Sequence, residues 1–152
     1  MRPAFLHEGP ARDLVHALKY RGIRQAARMF ATAMAPLLPP DATCLVPIPR
    51  VLGRRLRLGI DPGVEIARAL GAMTGLEVVA LLDAPLASMR HAGRAQADRT
   101  RPSFSSRGRP PDGAVVVDDV VTTGSTLEAA FRQFPAVGLS GATATSVPPW
   151  LV

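Results

Sequence analysis

The feature that most constrains this chain is a single segment, Ala114 to Ala130, which reads AVVVDDVVTTGSTLEAA. It starts as an apolar β-branched run, which is typical of a buried strand, and it ends in residues that favour a helix. Between the two lie adjacent carboxylates, Asp118 and Asp119, followed by a turn around Gly124. A strand that leads through a turn into a helix is the building unit of α/β proteins, which bind ligands at the carboxyl ends of their strands. The segment therefore predicts an open α/β sheet with a ligand site at this point.

The turn after the carboxylates has the composition of an anion-binding loop. Its small residues offer close backbone approach, hydroxyl donors and the free N–H groups of a helix start. They are Thr122, Thr123, Gly124, Ser125 and Thr126. Carboxylates would repel phosphate, so Asp118 and Asp119 fit neutral hydroxyls or a hard cation such as Mg2+. A ribose 5-phosphate meets both requirements, whereas an ordinary capped turn, the simpler explanation, does not need two adjacent aspartates.

The rest of the chain alternates between helical and strand-like patterns. The patterns predict helices over Pro10 to Arg21, Gln25 to Leu38, Pro62 to Met73 and Leu127 to Phe134, and strands over Thr43 to Ile48, Glu77 to Leu82, Ala114 to Val117 and Ala142 to Val147. Asp61 is expected to cap the third helix and Gly75 to end it. Ala84 to Asp112 is neither apolar nor periodic and is predicted to be a long loop, of the kind that is either functional or disordered. We expect one domain over residues 1–152, with a helical part at 1–40 and a mostly parallel sheet with helices on both faces over 41–152.

Composition indicates the cellular compartment and the charge of the expected ligand. The single cysteine, Cys44, allows neither an internal disulfide nor a cysteine-rich zinc site, so a reducing cytoplasm is the expected compartment. No targeting signal and no membrane-inserting run is found. The net charge is +6, and all basic residues except Lys19 are arginines, which suit phosphate. Ten arginines fall within Arg50 to Arg57 and Arg90 to Arg109.

The central segment resembles the phosphoribosyl-pyrophosphate (PRPP) motif of type I phosphoribosyltransferases, through VVVDDVVTTGSTL. Three further stretches make the chain similar to the ComF family of competence-associated, phosphoribosyltransferase-like bacterial proteins. They are LKYRG (Leu18 to Gly22), VPIPRVLGRRLRLGID (Val46 to Asp61) and EIARAL (Glu65 to Leu70). The resemblance extends from about Asp13 to the end of the chain, without the four-cysteine zinc module of many members. It implies a type I phosphoribosyltransferase-like fold with a small hood and a mobile loop.

The resemblance also implies roles for particular residues. Asp118 and Asp119 would hold the ribose 2- and 3-hydroxyls and, indirectly, Mg2+, as the catalytic pair, and Val121 to Thr126 would hold the 5-phosphate. Pro47 to Arg50 would be the pyrophosphate loop. Its candidate basic partners are Arg50, Arg54 and Arg55, and the candidate residues of the mobile loop (Ala87 to Phe104) are Arg90, His91 and Arg94.

Two functions remain open. The first is a Mg2+-dependent transferase in which a nitrogen nucleophile displaces pyrophosphate from PRPP through an oxocarbenium-like transition state. The second is a non-catalytic competence factor that handles single-stranded DNA or docks on DNA-uptake and DNA-processing proteins while retaining the phosphate-binding turn after Asp119. The basic charge favours the second, as do departures from the family pattern at Leu58 to Asp61 and at His91. The sequence leaves the acceptor, a homodimer and the partner proteins undetermined.

Overall fold

Five parallel strands form one sheet in the computed structural model, which describes residues 2–50, 59–83, 103–135 and 137–147. The strands are β1 (Arg2–Leu6), β2 (Cys44–Pro47), β3 (Glu77–Val78), β4 (Ala114–Val121) and β5 (Ser140–Ser146). Their order across the sheet is β1-β5-β4-β2-β3, and every neighbouring pair is parallel. All five carboxyl ends therefore lie along one edge of the sheet.

The longest strand, β4, is at the centre because its sequence is apolar on both faces. Val115 and Val117 pack on one face and Val116 packs on the other, and all three are fully buried. A strand without a polar face is typical of a parallel sheet that is covered on both sides. β2, with Leu45 and Val46 directed to opposite cores, follows the same pattern.

The helices cover the two faces unequally. They are α1 (Gly9–Arg21), α2 (Arg24–Met34), α3 (Pro62–Thr74) and α4 (Ser125–Phe131). The first three share one core, in which Leu18, Phe30 and Ile66 are fully buried, while Leu127 of α4 lies in the other core. Phe104 joins the α4 face from the segment before β4. Among the described residues, no helix is long and apolar enough to cross a membrane.

These elements confirm the predicted α/β class and most of the predicted helices and strands. Two expectations were wrong. The 1–40 part is not wholly helical, because β1 pairs along β5 and extends the sheet. The strand predicted over Glu77 to Leu82 stops at Val78, after which Leu82 forms only an isolated antiparallel bridge to Ser106. α4 also begins two residues earlier than expected, at Ser125.

Gly63 sets how closely α3 approaches β2. A Cβ atom at this buried position would lie 2.7 Å from the carbonyl oxygen of Ile48. Ile48 directly follows β2, and its N–H donates to the carbonyl of Val117 at 2.9 Å. Only glycine therefore lets the first turn of α3 reach the segment that leaves the sheet edge.

We expect Gly63→Ala to lower the free energy of unfolding by about 1–3 kcal/mol, because the backbone must shift to relieve the clash. That loss should exceed the gain in helix propensity of about 1 kcal/mol. Gly138→Ala is the matched control, since its Cβ would meet no atom within 4 Å and should change stability by about 0.5 kcal/mol or less. Urea denaturation of both variants checks this. Equal free energies of unfolding for the two variants would show that the contact between Gly63 and Ile48 does not require glycine.

Candidate functional site

The carboxyl ends of the strands bring together polar groups that are far apart in sequence. Asp118 and Asp119 lie in the last half of β4, and the turn of residues 122–124 connects it to α4. Arg50 follows β2, His7 follows β1, and Thr145 is near the end of β5. This is the edge at which open α/β sheets bind their ligands.

Asp118 is buried at the end of the central strand. Its Oδ1 accepts a hydrogen bond from the N–H of Asp119 at 2.8 Å. Burial raises the pKa of the Asp118 carboxyl well above its ordinary value, and the neighbouring charge of Asp119 raises it further. The hydrogen bond from the Asp119 N–H and the charge of Lys19 oppose this rise without cancelling it. Asp118 thus holds a proton more readily than an exposed aspartate does.

Asp119 is held at its side chain and at its main chain. Lys19, in the last turn of α1, places its Nζ 3.0 Å from Asp119 Oδ2, and both side chains are largely shielded from solvent. The carbonyl of Asp119 accepts a 3.4 Å hydrogen bond from Thr145 Oγ1, which also lies 2.9 Å from His7 Nδ1. Burial lowers the pKa of His7, and the charge of Lys19 lowers it further. The end of β4 is therefore fixed by groups from α1, β5 and the residue after β1.

The turn into α4 has the small-residue geometry that the sequence predicts. Gly124 adopts a left-handed conformation, with φ of 75°, which favours glycine. Thr123 Oγ1 donates to Ser125 Oγ at 2.9 Å and accepts from the N–H of Ser125 at 3.4 Å. Val121 is buried, and its carbonyl accepts from the N–H of Val147 at 2.9 Å, so the turn starts from a fixed point of the sheet.

A shallow, open concavity lies where the strand meets the turn. Asp118, Thr122, Gly124 and Thr126 contribute to its wall. One carboxylate and the predicted anion-binding turn thus face the same space.

Arg50 lies on the neighbouring part of the edge, after β2. Its N–H donates to Asp61 Oδ2 at 2.8 Å, and its Nη1 donates to the carbonyl of Lys19 at 3.5 Å. Asp61 is the N-cap residue of α3, as predicted, but its carboxylate bonds to the chain after β2 and makes no side-chain cap hydrogen bond. Its role is to hold the predicted pyrophosphate loop against α3.

The described residues include Asp118, Asp119, Arg50 and the whole 121–126 turn. The other candidate residues lie outside the described ranges; they are Arg54, Arg55, Arg90, His91 and Arg94. Sequence reasoning missed Lys19, His7 and Asp61 as parts of this edge. A signal existed for Lys19, which follows the buried Val15 by four residues and so places a charge beside the apolar face of α1. No comparable pattern marks His7.

The carboxylates supply hard oxygen donors but not a complete metal cage. Within the ranges given above, no group of three or more His, Cys, Asp or Glu side chains is placed to hold a metal ion. Mg2+ commonly takes one or two carboxylates and completes its shell with water and substrate phosphate. The acidic pair fits an ion of that kind, brought in with a phosphate ligand.

Comparison with known proteins does not assign the chain to a family. No protein-family model matches the chain, and the search of curated proteins finds no match either.

We expect Asp118→Asn to stabilise the protein at about pH 8 and to change stability much less at about pH 4. Because the pKa of Asp118 is raised by folding, its stabilising contribution is complete below the ordinary aspartate pKa and is lost as pH rises through the raised value. Asparagine removes this loss and can still accept from the N–H of Asp119. Thermal unfolding at both pH values provides the measurement.

The exposed Asp13 supplies the control, since Asp13→Asn removes the same charge outside the site. It should shift the midpoint little at either pH. A lower midpoint for Asp118→Asn than for the wild type at about pH 8 would contradict the expected cost of burying this carboxylate.

Proposed function

We propose that this protein binds PRPP, or another ribose 5-phosphate compound, together with Mg2+ at the carboxyl end of β4. The observation that carries the proposal is that the carboxylate of Asp118 and the turn residues Thr122, Gly124 and Thr126 border one concavity. A ligand seated against these residues must satisfy an acidic group and an anion-binding turn at once. A sugar with hydroxyls beside its phosphate has that combination.

The turn is suited to the 5-phosphate. Gly124 has no side chain to obstruct a phosphate, and the hydroxyls of Thr122 and Thr126 lie on either side of it in the sequence. The hydrogen bonds between Thr123 and Ser125 keep the turn in one shape before ligand arrives. Preorganisation of this kind lowers the entropy cost of binding.

The acidic pair is suited to the ribose hydroxyls. An ionised carboxylate accepts strong hydrogen bonds from neutral hydroxyls, and Asp119 is held as such an acceptor beside Lys19. Mg2+ would be held through the ligand, with Asp118 and Asp119 acting on the hydroxyls that share it. The ion would neutralise pyrophosphate charge.

The resemblance to ComF-type phosphoribosyltransferases extends the proposal to fold, reaction and role. It implies a type I phosphoribosyltransferase-like fold, and the five-stranded parallel sheet is compatible with it. The reaction would be displacement of pyrophosphate from C1 of PRPP by a nitrogen nucleophile, with Arg50 beside the leaving group. The role would be in natural competence and DNA uptake.

Calorimetric titration with PRPP, with and without Mg2+, tests the site. We expect a dissociation constant on the order of micromolar with Mg2+ and weaker binding without it. Asp118→Asn combined with Asp119→Asn should weaken binding about a hundredfold or more, because two charge-assisted hydrogen bonds are lost.

Asp13→Asn combined with Asp41→Asn is the matched control, since both aspartates are exposed and the change in net charge is the same. This pair should leave the affinity for PRPP within about twofold. If the Asp118/Asp119 double variant and the wild type bound PRPP with equal affinity, the assignment of these two residues to the binding site would be wrong.

A second candidate function, handling of single-stranded DNA without catalysis, is favoured by the net charge of +6. Phosphate-driven binding releases counterions, so the affinity for a single-stranded oligonucleotide should fall at least about tenfold between roughly 50 and 200 mM salt. Fluorescence anisotropy measures this, and the Asp118/Asp119 double variant should bind DNA at least as well as the wild type. An affinity that does not change with salt would contradict this mechanism.

A further inference from the structure

The last turn of α1 carries a lysine that contacts the acidic pair of the proposed ligand site. Lys19 Nζ lies 3.0 Å from Asp119 Oδ2, and only 22% of the lysine side chain and 13% of the aspartate side chain are exposed. We propose that Lys19 is the positioning residue that orients the Asp119 carboxylate toward the ribose hydroxyls, and so makes the site select ribose over 2-deoxyribose. This inference rests on the proposed function.

Lys19 itself is held in place. Val15 and Leu18 anchor the same turn in the core, and Gly22 ends the helix in a left-handed conformation, with its N–H bonded to the carbonyl of Ala17. The carbonyl of Lys19 accepts from Arg50 Nη1 at 3.5 Å. A long side chain that is fixed at its base and shielded along its length loses most of its rotamer freedom on folding, so it can hold its partner in one orientation.

Asp119 needs such a partner because of its neighbour. Asp118 is buried, and its carboxyl interacts directly with that of Asp119, so the two acidic groups lie close together with little water around them. Without a cation, their repulsion would turn the Asp119 side chain away from Asp118. The bond from Thr145 to the Asp119 carbonyl fixes only the main chain and leaves the direction of the side chain to Lys19.

The ion pair leaves Asp119 able to bind ligand. A carboxylate offers about four acceptor positions, and the contact to Lys19 uses one oxygen. A hydroxyl that is missing from the ligand then leaves an oriented, partly buried carboxylate without its donor. This situation discriminates strongly between ligands.

The experiment compares ribose 5-phosphate with 2-deoxyribose 5-phosphate by calorimetric titration. The wild type should prefer the ribose compound by about tenfold or more. Lys19→Met should reduce this ratio to about twofold or less, and Lys19→Arg should restore part of it, because it returns a cation in a different geometry. Lys19→Gln serves as the second neutral variant if Lys19→Met does not fold by circular dichroism.

Arg28→Met is the matched control, because it removes one exposed positive charge from a residue of α2 that forms no part of the proposed site. It should keep the wild-type ratio. A Lys19→Met or Lys19→Gln protein that weakens both ligands equally and keeps the wild-type ratio would overturn this inference and leave the proposed function intact. Failure of the wild type to bind ribose 5-phosphate and PRPP would overturn the proposed function itself.

Discussion

Two carboxylates side by side at the end of a buried strand impose the main electrostatic constraint on this molecule. Water cannot solvate both, and adjacent like charges repel. Each of the two carboxylates has a different partner in the structure. Asp118 accepts from the N–H of Asp119, and Asp119 pairs with Lys19. The position of α1 is thereby linked to the site, because its last turn must bring Lys19 to the end of β4.

Further hydrogen bonds connect the strand ends to one another. Thr145 on β5 bonds to the Asp119 carbonyl and lies beside His7, which follows β1. On the other side, Arg50 bonds to the carbonyl of Lys19. Four of the five strands thus contribute to one hydrogen-bonded edge. A parallel sheet makes this possible, because it places every carboxyl end on the same side.

The sequence predicted the parts of this arrangement that depend on local pattern. The apolar run before Asp118, the small residues around Gly124 and the periodicity of α1 each specify an element from neighbouring residues. β1 escaped prediction because it is a short edge strand containing Pro3, and only its pairing with β5 makes it a strand. Asp61 is the N-cap residue that its position predicted, but its side chain bonds to the N–H of Arg50, eleven residues away, which the local pattern does not specify. The contact of Lys19 with Asp119 spans 100 positions and has no local signature beyond a charge beside an apolar face.

Lys19 also contacts both parts of the proposed site, the part that would bind the ribose hydroxyls and the part that would bind pyrophosphate. Its side chain contacts the carboxylate that would face the ribose, whereas its carbonyl contacts the arginine that would face the pyrophosphate. A shift of Arg50 toward a leaving group would change the bond at the base of Lys19, and the stiff side chain would carry that change to Asp119. In the proposed site, the hydroxyl side and the pyrophosphate side would therefore be linked through one helical turn. Such coupling favours a ligand that occupies both sides over a ligand that occupies either side alone, because only the larger ligand fixes both contacts at once.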